Sequence, residues 1–404
     1  MSTMQGEEWS GRSAPVVGRV ALLEWPGLAM ILAAMIGAAW LQQPSAVLLA
    51  GSVLAIGLVG RAWASLSLLA LHYDRRLSAD RGFPGDRIEL HARLDNRKPL
   101  PLSWVTVEEP LAQGLEIEEA GGPVTVSLGI YQRAGWRRSV RCVRRGYYPV
   151  GPAVLRSGDI FGLFATERPA APAVSVIVYP QLYDLTALGL SARHPLGMQR
   201  DPSRLFEDFS RPYGLRDYTP DTPFKAIAWA ATARRGALQV RTVEPTATLH
   251  AALFLAVEGF AGPAREADFE FALSAAASLA MRLLDARQPT GLFANGRRMD
   301  GGGDAVVLPG SGEERRRLLL DQLGVLDRVA AQPFAVLLDR YVPSLPRGTS
   351  ICVLAASLEE AAVLRLRAFG RRGYAVQLLW LGAAAPPSGM PVRHLRPPGA
   401  EAAA

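Results

Sequence analysis

The residues that could perform acid–base, nucleophilic or metal chemistry are scattered along this 404-residue sequence. It contains no nucleophile elbow, no phosphate-binding glycine loop and no paired-cysteine motif. The five histidines show none of the spacings that metal ligands need: His72, His91, His194, His250 and His394. We therefore expect a protein without enzymatic activity and without a cofactor.

One carboxylate, Glu258, stands where a metal site could form. It follows an apolar run expected to be a buried strand, and ligands of doubly wound sheets gather at the carboxyl ends of strands. Ser357, after a later strand, with Asp300 or Asp304, could add the oxygen ligands that Mg²⁺ prefers. The glycine, phenylalanine and alanine after Glu258 offer no hydroxyl. We therefore favour a lost metal site at the degenerate position of Glu258 and Ser357, and keep a metal-dependent binding protein or hydrolase near Glu258 as the alternative.

The charge pattern argues against nucleic acid as a partner. The formal net charge is +7, and Lys98 and Lys225 are the only lysines, so nearly all basic residues are arginines. These arginines are scattered, whereas nucleic-acid binding needs a basic patch or stripe. Cys142 and Cys352 lie in apolar runs of different expected domains, which predicts buried free thiols in a reducing compartment.

The first element along the chain is an apolar stretch. No charged residue occurs between Trp25 and Gly60. As a single helix this stretch would span about 54 Å, whereas the hydrocarbon core of a bilayer is about 30 Å thick. Two glutamines and a proline break it near Pro44, and neither half has a polar face. We therefore predict a transmembrane hairpin over 24–72, with helices of roughly Trp25–Leu41 and from near Ala46 to about Leu71, and the lipid bilayer as a partner.

Arginines flank this hairpin at both ends, and its turn carries no charge. They are Arg12, Arg19, Arg61, Arg75 and Arg76. The positive-inside rule then places both ends in the cytoplasm. We expect a multi-pass protein of the bacterial inner membrane, with a cytoplasmic segment at 1–23 and cytoplasmic soluble domains.

Two soluble domains are expected after the hairpin. Residues 80–182 alternate apolar and polar side chains in short runs, as in Ile88–Leu94, which predicts a β-sandwich. Residues 248–396 alternate strands and helices, which predicts a doubly wound α/β domain, and 397–404 should be a disordered tail. The expected elements of this domain are Leu249–Val257, Ser350–Ala356 and Tyr374–Leu381 as strands, Thr290–Ala294 with Ala305–Leu308 as a hairpin, and Arg265–Arg287, Glu313–Ala330 and Leu358–Arg372 as helices.

Two sets of residues carry a family resemblance. The first, in the segment 187–247, is Arg216-Asp217-Tyr218-Thr219-Pro220-Asp221 followed by Lys225, Ile227, Trp229, Ala233 and Arg234. The second comprises Arg144–Pro152, Gly158–Phe164 and Val178–Pro180. With the order of anchor, β-domain, motif and α/β domain, these resemble the DUF58 family over almost the whole chain. The Gly-Asp of that family's motif is Asp221-Thr222 here.

The resemblance implies a von Willebrand factor A-like α/β domain, whose relatives often bind a cation through Asp-x-Ser-x-Ser. That motif is absent after the first strand here. It also implies a non-enzymatic adaptor working with a MoxR-type AAA+ ATPase in assembly or maturation of protein complexes. The motif residues expected to matter are Arg216, Asp217, Tyr218, Asp221, Trp229 and Arg234.

Two interpretations of these motif residues are open. In the one we favour, they form a buried brace between the domains, with the carboxylate paired to an arginine and Trp229 packed beside Ile227. In the other, they form an exposed docking strip with aromatic and arginine anchors. Either way, the sequence indicates a membrane-tethered scaffold or adaptor for protein–protein interaction.

Overall fold

The computed structural model describes residues 25–118, 122–190, 212–219, 227–243 and 250–397. The chain divides into two compact units, one ending at Val178 and the other starting at Tyr179. The predicted segment 1–23, Asp221 and nearly all of the predicted tail lie outside the described residues.

The first unit begins with two apolar helices, α1 (Trp25–Trp40) and α2 (Pro44–Ser67). Pro44 opens α2, as a proline in the first turn can, because its missing N–H would be unpaired there. At 24 residues, α2 is long and apolar enough to cross a membrane, whereas α1 is apolar but only 16 residues long. The prediction that the second helix continues to about Leu71 is wrong, because the chain enters a strand at that residue.

In the described residues of this unit, eleven strands follow. They are β1 (Leu71–Leu77), β2 (Arg81–Gly82), β3 (Arg87–Asn96), β4 (Leu102–Glu108), β5 (Leu115–Ile117), β6 (Val124–Leu128), β7 (Arg133–Cys142), β8 (Gly146–Val150), β9 (Ala153–Gly158), β10 (Ala165–Ala171) and β11 (Val174–Val178). The sheets have the orders β1-β3-β7-β5, β10-β9-β4-β6 and β2-β11-β8.

The two four-stranded sheets share one apolar core, as in the predicted β-sandwich. Along β3 the apolar side chains are buried and the intervening ones exposed, the alternation expected of a sheet with one covered face. Leu94 from one sheet and Leu155 from the other belong to the same cluster. This part of the chain starts at Leu71 rather than near residue 80, because β1 pairs with β3 along its whole length.

One lysine fixes the end of α2 to the strands. Lys98, which follows β3, donates from Nζ to the carbonyls of Leu66 (2.5 Å), Leu69 (2.9 Å) and Ser67. The last carbonyls of a helix lack partners within it and favour a cation. Burial and the neighbouring Arg168 lower the pKa of Lys98 to about 8, which leaves the ammonium charged at neutral pH.

A buried ion pair holds β1 in the core. Arg75 donates to Glu109 at 3.2 Å, and their side chains are only 2% and 4% exposed. The Tyr73 hydroxyl donates to the same carboxylate oxygen at 2.6 Å, and Arg75 also donates to the carbonyl of Pro172. Burial raises the pKa of Tyr73, with the Glu109 charge as the next cause. Losing one partner of such a pair would leave a buried charge uncompensated.

The second unit is an α/β arrangement. Its helices and strands are β12 (Pro212–Asp217), α3 (Trp229–Arg235), β13 (Gln239–Val243), β14 (Ala251–Leu255), α4 (Glu266–Asp285), β15 (Thr290–Ala294), β16 (Gly296–Arg298), β17 (Ala305–Gly310), α5 (Glu313–Val325), β18 (Leu326–Ala330), α6 (Phe334–Tyr341), β19 (Ser350–Ala355), α7 (Glu360–Arg371), β20 (Ala375–Trp380) and β21 (Val392–His394). The main sheet has the order β17-β15-β14-β19-β20-β21, parallel except for β17.

The central strands of this sheet are covered on both faces. Every residue of β14 is buried, as is usual for a parallel strand between two helical layers. Phe254 stacks on Phe293 with 4.7 Å between ring centres and meets Phe334 of α6 edge-on. Cys142 of the first unit and Cys352 of the second are buried free thiols, as predicted, whereas the reducing compartment stays a prediction.

One predicted element of this unit needs correction, and one helix was not predicted. The helix expected over Glu313–Ala330 ends at Val325, and the remaining residues form β18, which pairs with β16. That pairing partner is remote in sequence, so helical periodicity could not reveal it. Helix α6 was not predicted, because it is short and lies between two prolines, Pro333 and Pro343.

Replacing Lys98 tests its role at the end of α2. Lys98→Met should keep the buried aliphatic chain but strand the helix carbonyls, lowering the free energy of unfolding by about 1–3 kcal/mol. Lys98→Arg is the control that keeps the charge but offers a planar fork in place of three converging donors. Urea unfolding of the full chain in detergent measures both, and an unchanged midpoint for Lys98→Met would contradict this role.

Candidate functional site

The carboxyl ends of β14, β15 and β19 bring together the loops that carry Glu258, Asn295 and Ser357. A Cβ atom at Gly259 would lie 2.4 Å from the Ser357 nitrogen and 2.7 Å from its hydroxyl oxygen. Only a glycine fits this close approach, so the residue next to Glu258 packs directly against Ser357. The structure thus places the two predicted residues on adjoining loops, at the edge where ligands of such sheets gather.

Glu258 accepts hydrogen bonds that organise this edge. Its Oε1 atom accepts from Asn295 Nδ2 and from the Phe334 backbone N–H, both at 2.8 Å. Phe334 is the first residue of α6, where a carboxylate satisfies a free N–H and complements the helix dipole. Asn295 also accepts from the Val257 N–H at 3.0 Å and donates to the Gln332 carbonyl at 2.9 Å.

Sequence reasoning missed Asn295, although a signal was present. It is a polar residue directly after the apolar strand β15, and its side chain is buried. A polar group in that position needs partners, and an amide supplies both a donor and an acceptor. The hydrogen bond from the Phe334 N–H to Glu258 could not be predicted, because helix α6 itself was not predicted.

The environment of Glu258 disfavours its charge. Burial is the largest cause of a raised pKa, and the nearby Glu359 carboxylate raises it further. The hydrogen bonds from Phe334 and Asn295 oppose this shift without cancelling it. The site is therefore an acidic edge at which the partly buried Glu258 resists ionisation.

The other two acidic candidates have their own partners. Asp300 accepts from Arg298 Nε at 2.9 Å, and Asp304 accepts from the Tyr341 hydroxyl at 2.9 Å. Within the ranges that the structure describes, no group of three or more His, Cys, Asp or Glu side chains could hold a metal ion. The absence of a metal at Glu258 and Ser357 stays a prediction.

The motif residues form a small separate assembly. Strands β12 and β13 pair antiparallel, with Asp217 opposite Gln239. Gln239 is buried and donates to the Asp217 carboxylate at 2.5 Å, while Arg235 donates to the Gln239 amide oxygen at 3.3 Å. The Tyr218 backbone N–H donates to the Leu238 carbonyl at 2.9 Å. The side chain of Arg216 lies outside the described residues.

The expected burial of Trp229 and Asp217 is wrong. The Trp229 side chain is 65% exposed, whereas Ile227, two residues earlier, is buried. Ile227 bridges to Val240 as an extended residue, but helix α3 begins at Trp229, so the two-residue period of a strand ends between them. Asp217 and Arg234 are also exposed, and within the part of the chain that the structure describes the Asp217 carboxylate accepts from the amide of Gln239.

In comparison with known proteins, no family model matches the chain, whereas a curated protein is similar to part of it. The uncharacterized protein YeaD of Bacillus subtilis (strain 168) is 25% identical over 279 residues, covering 66% of this chain and 67% of YeaD. This similarity neither confirms nor contradicts the DUF58 resemblance, which stays a prediction.

Solved structures resemble only part of the chain. The cupredoxin domain of amoB from Nitrosocaldus yellowstonii is 14% identical with a TM-score of 0.20, covering 28% of this chain and 89% of that one. The CARDB domain of the PF1109 protein from Pyrococcus furiosus is 14% identical with a TM-score of 0.21, covering 27% and 86%. Likenesses at these TM-scores carry no argument about fold or function.

Two substitutions of Glu258 separate its hydrogen bonds from its charge. Glu258→Ala strands the donors of Asn295 and Phe334 and should lower the free energy of unfolding by about 1–3 kcal/mol. Glu258→Gln keeps an acceptor oxygen for both donors and removes the charge, so it should be tolerated. Equal losses for the two variants in urea unfolding would contradict this assignment.

The raised pKa of Glu258 predicts that the stability of the protein depends on pH. Since folding raises the pKa of Glu258 above its ordinary 4.5, its protonated form is favoured in the folded state. The stability that this group contributes is therefore complete below that ordinary pKa and is lost as the pH rises through the raised value. Relative to the wild type, Glu258→Gln should gain stability as the pH rises above 4.5. A difference between the two proteins that does not change with rising pH would contradict the shift.

Proposed function

We propose that this protein is a non-enzymatic, membrane-tethered scaffold that binds a protein partner through the exposed motif helix α3. The proposal combines an apolar helix of membrane-spanning length, two folded units and an exposed tryptophan in the motif that resembles the DUF58 signature. Its second unit would be a von Willebrand factor A-like domain without the cation motif. A MoxR-type AAA+ ATPase is the partner that the resemblance implies.

The exposure of Trp229 is the observation that carries this proposal. A tryptophan side chain buries more apolar area than any other when it is covered, and tryptophan and arginine are enriched among the residues that dominate binding energy. Trp229 begins α3, and Arg234 and Arg235 lie in the last turn of the same helix. Ile227 and Val240, which form an antiparallel bridge just before α3 begins, are buried. This arrangement favours the docking strip over the brace.

The tether of the proposal consists of α1 and α2. Both helices expose apolar side chains along their length, including Leu48 and Val59 of α2. Exposed apolar surface of this extent is expected in lipid and unfavourable in water. The turn between the helices, around Gln43, carries no charge, so it can face the outside while both ends stay in the cytoplasm.

Substitution of Trp229 tests the docking surface. Trp229→Ala should leave thermal unfolding unchanged within about 0.5 kcal/mol, because the side chain is exposed. It should weaken capture of the purified MoxR-type ATPase from the same organism by about 30-fold, the effect of losing a hot spot of ~2 kcal/mol. Leu364→Ala, an exposed apolar residue on α7, is the matched control and should change neither. Unchanged capture by Trp229→Ala would overturn the docking role.

Accessibility labelling tests the tether. A cysteine introduced at Gln43 should react in intact cells with a reagent that cannot cross the membrane, since the positive-inside rule puts this turn outside. A cysteine at the exposed position Glu116 should react only after lysis. The buried native thiols should not interfere. Labelling at Glu116 in intact cells would overturn the orientation.

A further inference from the structure

A rim of exposed apolar side chains surrounds the end of α2. Its members are Leu69, directly after the helix, Ile130 and Tyr131 in the loop between β6 and β7, and Ile160 and Phe161 in the loop between β9 and β10. Phe161 is 62% exposed and Tyr131 is 64% exposed. Both loops belong to the first unit, as α2 does.

The loop between β9 and β10 lies against the side of α2. A Cβ atom at Gly60 would be 3.2 Å from the Phe164 ring and 3.3 Å from the Asp159 carboxylate, so the helix and the loop touch. Gly60 precedes the end of the helix by about 10 Å at the rise of an α-helix. The loop therefore lies alongside the last two turns of α2, before the helix ends.

A buried carboxylate keeps this loop in shape. Asp159 is fully buried and accepts from the backbone N–H groups of Phe161 (3.0 Å) and Phe164 (2.7 Å). The indole of Trp104 donates to the Asp159 carbonyl at 3.3 Å. Because the Asp159 carboxylate accepts hydrogen bonds from the backbone N–H groups of the loop, these groups are not left unpaired while the side chains of Ile160 and Phe161 are exposed.

The second loop is bound to the same helix end through Lys98. The Tyr131 backbone N–H donates to the Lys98 carbonyl at 3.3 Å, while the Lys98 ammonium binds the last carbonyls of α2. Tyr131 has a φ of 52°, a conformation uncommon for a bulky residue, and its side chain is exposed. An exposed tyrosine at this level matches the aromatic belt of membrane proteins.

Positive charge accompanies the rim. Arg93, Arg97 and Arg133 share the single carboxylate of Asp95, which leaves an excess of positive charge next to the second loop. The Arg61 guanidinium lies 4.6 Å above the centre of the Trp25 ring, at the level of the first loop. Arginines beside exposed apolar groups fit a surface of anionic headgroups over acyl chains.

We propose that the apolar rim enters the lipid interface, so that the β-sheets of the first unit rest directly on the membrane. The lipid surface is the occupant because α2 exposes apolar side chains as far as Leu66, in its last turn, and Leu69 of the rim is exposed three residues later. This inference rests on the proposed tether, since a helix that does not cross the membrane would bring no bilayer to the rim.

Site-directed spin labelling tests the inference on the full chain in vesicles of phosphatidylcholine and phosphatidylglycerol. Single cysteines replace Phe161, Ile160 or Tyr131 and carry a nitroxide. The native thiols react slowly, because burial raises the pKa of Cys142 to about 11 and that of Cys352 to about 12. Collisions with oxygen, which concentrates in lipid, are compared with collisions with a water-soluble nickel complex.

Two further labels provide the matched controls. Leu58, exposed on α2, reports on the tether itself, and Leu364, exposed on α7, reports on water. We expect the rim labels to lose nickel collisions and gain oxygen collisions relative to Leu364, as Leu58 does. Rim labels as accessible to nickel as Leu364, with Leu58 in lipid, would overturn the inference and leave the tether intact. A Leu58 label in water would overturn both.

The label at Ile160 is a control for disturbance of the loop by the label at Phe161. If the label at Phe161 disturbs the loop, Ile160 still reports from the neighbouring position of the same turn.

The same collision measurements in vesicles without phosphatidylglycerol test the contribution of charge, since attraction by the three arginines around Asp95 should weaken when the headgroups are neutral. A rim that stays in lipid in both kinds of vesicle supports insertion through its apolar side chains, and exposure to nickel in both overturns it.

Discussion

Buried ends of helices and loops must satisfy their polar backbone groups, and in this protein three ionisable side chains meet that constraint. Lys98 binds the carbonyls at the end of α2, Asp159 binds the N–H groups of the loop after β9, and Glu258 binds the N–H at the start of α6. Lys98 and Glu258 join elements that are distant in sequence, and Asp159 stabilises a sharply turned loop. An unpaired backbone group in such places would cost as much as a lost hydrogen bond.

This constraint separates residues that build the structure from residues available to a partner. Glu258 is the most suggestive acidic group of the α/β unit, yet one of its oxygens is already occupied by two donors. Its charge is also disfavoured by burial. By contrast, Trp229 and Phe161 are exposed and held in place by buried neighbours. The features that support interaction are therefore apolar, and they lie on two different units.

Prediction from sequence succeeded where periodicity alone decides the outcome. The alternation in β3, the fully apolar β14 and the turn before Pro44 all appear where expected. Prediction failed where an element boundary depends on a pairing strand that is remote in sequence. The end of α5 depends on pairing of β18 with β16, and the start of the first sheet depends on pairing of β1 with β3. Local propensity carries no information about such pairings.

By itself, the sequence determined the apolar character of α2, the succession of a β-rich and an α/β region, and the buried free thiols, because hydropathy and its period are local properties. Only the tertiary structure decided the use of the polar residues. Whether Glu258 is free or holds a helix, and whether Trp229 is covered or exposed, depends on which chain segments approach them. Burial and hydrogen bonding are relations between distant residues, so no pattern along the chain can specify them.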